Sequence, residues 1–360
     1  MNHHQPTFFD ESERLEKLSK LGDQLVLLNE YIDFESFRAD IGQALGRATP
    51  KATGRPSYDI VFMFKILILQ RLYNLSDQQT EYQINDRLSF QRFLGLHIGS
   101  KVPDYTSVWN FREQLVESGA MKSLFDKYVS SLEKQGVVTH TGTILDASFV
   151  QVPRQRNSRE ENEIIKNGGV PEGWKTQPRK LAQKDVEARW AKKGEERYYG
   201  YKEHDKGDAQ SKIMIDYKVT PAQVSDTKVG ENYVREAPGG GSWFGDCAFK
   251  SKLIDELLSK AGINNYINDR MKKGEGVLNE LYKEINRLKS SIRCRIEHIF
   301  GHIENSMGGD TFEYIGLKRI TTAVGLRNLT YNFQRYVQLV KTGQVIHGKG
   351  WANVSNCATA

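Results

Sequence analysis

The chain of 360 residues is 38% hydrophobic and 27% charged, a balance that suits a globular protein of two or three structural units and excludes disorder over most of its length. Its net charge of +6 favours a nucleic-acid partner only weakly, and no apolar run reaches the roughly 18 residues that a membrane span needs. Cys247, Cys294 and Cys357 are odd in number and scattered, and MNHHQPTFFDES lacks the layout of a secretory signal, so reduced thiols in a cytoplasmic setting are expected.

Residues 10–47 carry Leu15, Leu18, Leu21, Leu25 and Leu28 at helical spacing and predict one or two amphipathic helices. The break TPKATGRPSYD (Thr49–Asp59) reads as an exposed loop. Further helices are predicted over Ile60–Leu72, Ser76–Leu88 and Ser107–Ser118, with Ser76 or Asp77 capping the second and Thr106 or Ser107 the third. Residues 1–135 therefore predict an all-helical N-terminal unit.

The period then changes. TGTILDASFVQV (Thr141–Val152) predicts a buried strand. Residues 153–197 are polar and hold Pro153, Pro171 and Pro178, as an insertion with little core of its own would. Tyr198–His204 and Lys212–Thr220 predict a hairpin turning at Lys206-Gly207-Asp208. A helix over Thr227–Glu236, a strand over Trp243–Asp246, a helix over Ser251–Ala261 and a strand over Asn265–Asn268 follow, then a long helix over Gly276–Ser306 and a closing amphipathic helix over Leu326–Lys341. This order describes an α/β domain with a mixed sheet over 136–345, followed by a tail over 346–360. No Gly-rich phosphate fingerprint follows any strand, so nucleotide binding has no support.

Asp146 in ILDASF and Asp246 in WFGDCAF are charged residues in short apolar strands, where an unpaired carboxylate costs several kcal/mol to bury. Each alone reads equally as a strand-end turn residue. Together they can meet at one sheet edge, the usual ligand crevice of open α/β sheets. Glu297 adjoins the apolar stripe Ile292, Ile296, Ile299 and Ile303 of the long helix and can point to the sheet; an i,i+4 ion pair with Arg293 is its plain alternative. Two Asp and one Glu supply hard oxygen ligands for Mg²⁺ or Mn²⁺, and two such ions about 3.5–4 Å apart suit in-line attack on a phosphodiester.

TILDASFV, PRQRN, LAQKDVEARW, YYGYKEH, VTPAQVSDT, FGDCAF and RIEHIFGH, in that order, resemble successive blocks of the insertion-sequence-5 family of bacterial DDE transposases. GRPSYD, LQRLYNLSDQQTEYQINDRLSFQRFLGL and PDYTSVWNFRE resemble that family's N-terminal domain, so the likeness spans about residues 10–340. It implies a ribonuclease H-like catalytic domain behind a helical DNA-binding and dimerisation domain, with Asp146 on the first strand, Asp246 on the fourth and Glu297 on a later helix. It further implies two divalent ions on these acids, cutting at terminal inverted repeats, joining of 3′-OH ends to target DNA, a dimer or larger synaptic complex, and a nucleoid-associated location. Arg293 matches the family's arginine four residues before the glutamate. Ser290 and Glu304 stand where the family signature has tyrosine and lysine, and Glu304 would repel phosphate. A DNA-binding remnant that no longer transposes and a metal-dependent nuclease that does not join ends are the rival readings.

Candidate DNA contacts are Arg154, Arg156 and Arg159 after the first acidic strand, Lys202 and His204 in GYKEH, Lys283, Arg287 and Lys289 on the long helix, and Arg293. The last-named helix lies in a segment, 271–295, holding seven Lys/Arg against three Asp/Glu. Solvated faces account for such charges equally well. Trp174 and Trp190 can stack on a base or pack the insertion. His298 and His302 have i,i+4 spacing, but HIFGH lacks the glutamate of a zinc-hydrolase helix.

Overall fold

The computed structural model describes residues 10–47, 57–97, 99–270 and 276–352. Most of the break at 49–59 and Cys357 lie outside them. The N-terminal part consists of α1 (Asp10–Lys20), α2 (Gln24–Tyr31), α3 (Arg38–Ala44), α4 (Ile60–Leu72), α5 (Asp77–Asp86), α6 (Leu88–Leu94), α7 (Tyr105–Ser118) and α8 (Met121–Lys134). Short polar caps set where they start. Asp59 accepts from the Phe62 amide at 2.9 Å and starts α4, and Ser76 forms a capping box with Gln79 at α5. Asp104, not Thr106 or Ser107, caps α7 by accepting from the Ser107 amide at 2.7 Å, so that helix begins at Tyr105. Nearly all of α4 is buried, which explains its apolar run.

The second part is a mixed sheet of β1 (Gly142–Gln151), β2 (Arg189–Lys193), β3 (Glu196–Asp208), β4 (Met214–Pro221), β5 (Ser242–Gly245) and β6 (Asn264–Ile267). β1 pairs antiparallel with β3 and parallel with β5; β3 also pairs with β2 and β4, and β5 runs parallel to β6. Three antiparallel strands followed by two parallel ones on the far side of the first is the ribonuclease H-like layout. β2 is an addition to it, and makes the strand before Asp246 the fifth in chain order. The hairpin turn lies beyond the expected Lys206-Gly207-Asp208. β3 runs through Asp208, whose carboxylate accepts from the Ser211 amide and hydroxyl at 2.7 Å and so stabilises the turn. Gly207 is a strand residue; a Cβ there would lie 3.3 Å from Ile299 of the long helix.

The insertion does have a small core. It holds α9 (Arg159–Lys166), α10 (Glu172–Lys175) and α11 (Pro178–Leu181) before β2. Trp174 is buried and donates its indole N–H to Glu161 at 2.7 Å, so it packs the insertion. Buried Asp185 accepts from the Tyr201 hydroxyl at 2.8 Å and ties the segment to β3.

α12 (Asp226–Arg235) and α13 (Lys252–Lys260) cover one sheet face, packing Val229, Tyr233, Ile254 and Leu258 against Leu145 and Trp243. α14 (Gly276–Ser306) and α15 (Leu317–Lys341) cover the other. α15 begins nine residues before the sequence expectation; its added turns, Leu317–Gly325, bury Ile320, Thr322, Ala323 and Val324, a mix of small and polar residues that carries little apolar period. Gly325 lets it approach closely: a Cβ would lie 2.0 Å from the Tyr217 hydroxyl. Phe333 of α15 meets Phe34, Phe37 and Tyr128 at ring distances of 5.6, 5.9 and 4.7 Å, so the helical part and the sheet share one core. Among the described residues no helix is long and apolar enough to cross a membrane. Phe333→Ala is expected to cost about 3–5 kcal/mol and to lower both parts in a single denaturant transition; two separate transitions would refute the shared core.

Candidate active site

The acids are placed by register. On the parallel side, Leu145 of β1 faces Gly245 of β5, and β5 ends there. The next residue of each chain is an aspartate, so Asp146 and Asp246 lie side by side. Asp146 is therefore not at the end of its own strand, as the sequence suggested; β1 continues five residues beyond it, and only its parallel neighbour stops. Asp246 instead caps a short turn and accepts from the Cys247 amide. Asp146 accepts from the Ala147 amide at 2.9 Å.

α14 crosses this point and brings Arg293. Its guanidinium reaches Asp146 at 3.3 Å and Glu297, one turn later, at 3.0 Å. The side chain of Asp146 is 18% exposed and that of Glu297 56%. Burial, and secondarily the charge of Asp246, push the Asp146 carboxyl up to about 6, against the pull of the Ala147 amide and Arg293. Two neighbouring carboxylates at a sheet crevice, one with a raised value, make a site of excess negative charge that a cation would relieve. The donor set is all oxygen, as hard divalent ions require. Among the described residues, however, no three such side chains already converge on a common point. Glu297 is held by Arg293 instead, and its exposure leaves it free to turn.

Behind Asp146 lies a buried polar cluster that the sequence pattern did not reveal. Asp205 is its cross-strand partner and Glu203 faces Ser148, so these side chains share the α14/α15 face. Arg327, only 1% exposed, donates to Glu203 and, at 2.7 Å, to Asp310. Asn328 donates to Glu203 at 2.6 Å, and Ser148 to Asp310. Neither oxygen of Asp205 receives a donor. Burial first and Glu203 second push its carboxyl well above the usual range. The only sequence signal was a run of charges, KEHDKGD, inside a strand.

The candidate DNA contacts divide. Arg154, Arg156, Arg159 and Arg287 are exposed and make no ion pair among the described residues, and Lys283 pairs only with exposed Glu280. Arg154 lies over Trp190, at 5.4 Å, and Trp190 is 53% exposed. Three others are corrected. His204 is fully buried, bonded to Thr220 at 3.0 Å, and lowered to about 4 by burial, so it is neutral and inaccessible. Lys202 is half-enclosed and neutralised by Asp226 at 2.9 Å. Lys289 closes the end of β6, bonding Asp269 at 2.7 Å and the Ile267 carbonyl at 3.0 Å. Arg293 is committed to the acids. Ser290 receives the Asn268 side chain at 3.2 Å, and Glu304 lines a cavity of about 460 Å³ beside β1, with Asp310, Phe149 and Tyr198. His298 and His302 bond Lys212 and Gln334 and share no metal-like arrangement.

The family model described as a transposase DDE domain matches residues 139–333, and the one described as Transposase domain (DUF772) matches residues 13–114. The chain belongs to the DDE transposases. These enzymes cleave and transfer DNA strands, and a divalent-metal mechanism is general to them. Among solved structures, a piggyBac transposase synaptic complex with hairpin DNA is 12% identical, with 89% of this chain and 76% of that one covered and a TM-score of 0.44. A Mos1 transposase paired-end complex is 12% identical, with 74% and 83% covered and a TM-score of 0.19. The fold assignment rests on the strand order and register above, not on these distant matches.

An acid whose folded value lies above its ordinary 3.8 stabilises the fold only while protonated; that contribution is complete below about pH 4 and is lost as pH rises through about 6. In this transposase, Asp146→Asn removes the ionised group, and the metal-free protein is expected to gain roughly 3 kcal/mol at neutral pH. Near pH 4 the gain should vanish. Denaturant melts at the two pH values measure it, and equal stabilities at neutral pH would show that Asp146 carries no such strain.

Proposed function

We propose that this chain is the transposase of an insertion element of the insertion-sequence-5 type, and that Asp146, Asp246 and Glu297 are its catalytic carboxylates. The observation that carries the reading is the paired placement of Asp146 and Asp246 where β5 stops, with Arg293 linking Asp146 to Glu297. Asp146 and Asp246 would hold two divalent ions, Mg²⁺ or Mn²⁺, and Glu297 would complete the set by turning from Arg293. Bound there, the ions supply charge neutralisation and a nucleophilic oxygen for in-line attack on phosphorus. The chain's own part is to fix the two aspartates on rigid strands, to keep the second sheet face closed, and to hold the DNA phosphate at the crevice.

Arg154, Arg156 and Arg159 leave β1 directly beyond the acids and are the closest exposed cations to it in sequence; with Trp190 they would receive the DNA strand. The helical part, residues 1–135, would bind element ends and a second copy of the chain, while 136–345 forms the catalytic domain. The substrate is then the terminal inverted repeat, cut to free a 3′-OH that is joined to target DNA in a multimeric complex.

The test uses purified protein, labelled element-end DNA and Mg²⁺ or Mn²⁺. Metal-dependent 3′-end nicking and strand transfer are expected, and Asp246→Asn should reduce both below detection while leaving DNA binding intact. Undiminished nicking in that variant sinks the carboxylate assignment. Nicking without joining identifies a nuclease, and binding with neither identifies an inactive remnant.

A further inference from the structure

A cavity of about 680 Å³ opens where α2 meets α14 and α15, on the flank of α14 away from the acids. It is lined by Lys212 from the β3–β4 turn, His298 and His302 from α14, and Arg335 and Lys341 from α15; none of its lining residues is Asp or Glu. Leu27 and Leu28 of α2 form the facing wall. Exposed Arg295, on the same flank of α14 as His298, donates to the Ala209 carbonyl at 2.7 Å and adds to the positive charge. Among the described residues Lys212, Arg295, Arg335 and Lys341 form no ion pair.

The cations are held in place rather than left loose. Arg335 donates to the Ser211 carbonyl at 2.7 Å and to Gln338 at 2.9 Å. Lys212 sits at a φ of +58°, a strained conformation for lysine, and bonds the His298 ring at 2.7 Å. Burial, then Arg335 and Arg295, push the Lys212 ammonium down, as expected where like charges are gathered without a counter-ion.

We infer that this groove is a binding track for the phosphate backbone of DNA, distinct from the catalytic crevice. The inference rests on the reading that the chain binds DNA. Unpaired cations drawn from a turn and two helices form an elongated track, which suits successive phosphates better than the single anion of a free nucleotide. His298 follows Glu297 directly in sequence, so about 100° of helix separates the track from the third acid. A duplex engaged at the crevice can continue past α14 into the groove.

The test is fluorescence anisotropy of the full chain with a labelled duplex of about two turns (~20 base pairs), without metal, at several salt concentrations. Lys212→Asn combined with Lys341→Glu removes charge without forcing the backbone, because asparagine tolerates the Lys212 conformation; exposed Lys341→Glu alone guards against misfolding. A matched control, Arg235→Asn with Lys260→Glu, makes the same charge change on exposed sites of α12 and α13. The groove variant is expected to weaken binding about tenfold and to reduce the slope of log affinity against log salt by about 1–2, with Lys341→Glu intermediate and the control near wild type. Equal losses in groove and control variants would mean net charge alone and overturn the proposal, as would unchanged binding in both. Competition with ATP provides the other arm: groove-dependent ATP binding with unaltered duplex affinity would make this a nucleotide site instead. The catalytic reading fails separately, through nicking by Asp246→Asn, and that result would leave the groove measurement standing.

Discussion

Arg327 cannot be buried without anions around it, and those that meet this demand come from separate parts of the chain. Glu203 belongs to β3 and Asp310 to the loop after α14, while Asn328 of α15 orients Glu203 and Ser148 of β1 holds Asp310. A buried ion pair of this kind adds little stability over an apolar replacement, yet removing one partner leaves an uncompensated charge that costs about 3–5 kcal/mol. Its effect is to select one arrangement. α15 must lie across β3, and the loop after α14 must return to β1. The end of α14 is thereby fixed over the sheet, and Arg293 is fixed over Asp146.

The two sheet faces consequently differ in kind. Under α12 and α13 the face is closed by Leu145, Trp243 and Tyr233, with Lys206 lying 5.4 Å from the Trp243 ring, its charge set against an aromatic instead of an acid. Under α14 the face collects carboxyl groups: Asp146, Glu203 and Asp205 within three strand positions, and Asp310 beside them. Such a concentration is tolerable because each member is handled differently. Glu203 and Asp310 have Arg327, Asp205 is pushed by burial toward its protonated form, and Asp146 shares Arg293. Among these acids the Asp146–Asp246 pair keeps negative charge beyond what Arg293 offsets, and it is there, not in the buried cluster, that we propose the chemistry.

Helices with a continuous apolar character or a long period were legible in the sequence. α4 and α14 have the boundaries that their patterns predict, because the apolar run of α4 is mostly buried and the isoleucine stripe of α14 is the face that meets the sheet. Asp146 and Asp246 stood out as charges in apolar strands. Glu297 did not, since its ion pair with Arg293 is real and its place near the aspartates depends on a tertiary crossing. The misses share a cause: pattern reading assigns polar residues to the surface. That rule hid the first turns of α15, where Thr322 is buried among Ile320, Ala323 and Val324, and it made β3 appear to turn at Lys206 when its charges were buried. β2 and the core around Trp174 were missed because a strand of RWAKK and a single buried indole carry almost no periodic signal.

The three proposed ligands are unequal in a way that bears on how the site fills. Asp146 and Asp246 are fixed by backbone pairing and by amide hydrogen bonds, so little freedom is lost when a cation joins them. Glu297 is more than half exposed and engaged by an i,i+4 arginine on its own helix. Exposed pairs of that type contribute only about 0.3–0.5 kcal/mol, far below the relief from placing a divalent ion between two carboxylates at a partly buried crevice. Arg293 is thus no lock on the site. It supplies a positive charge to Asp146, and would yield Glu297 at small cost to a divalent cation competing for the same carboxylates.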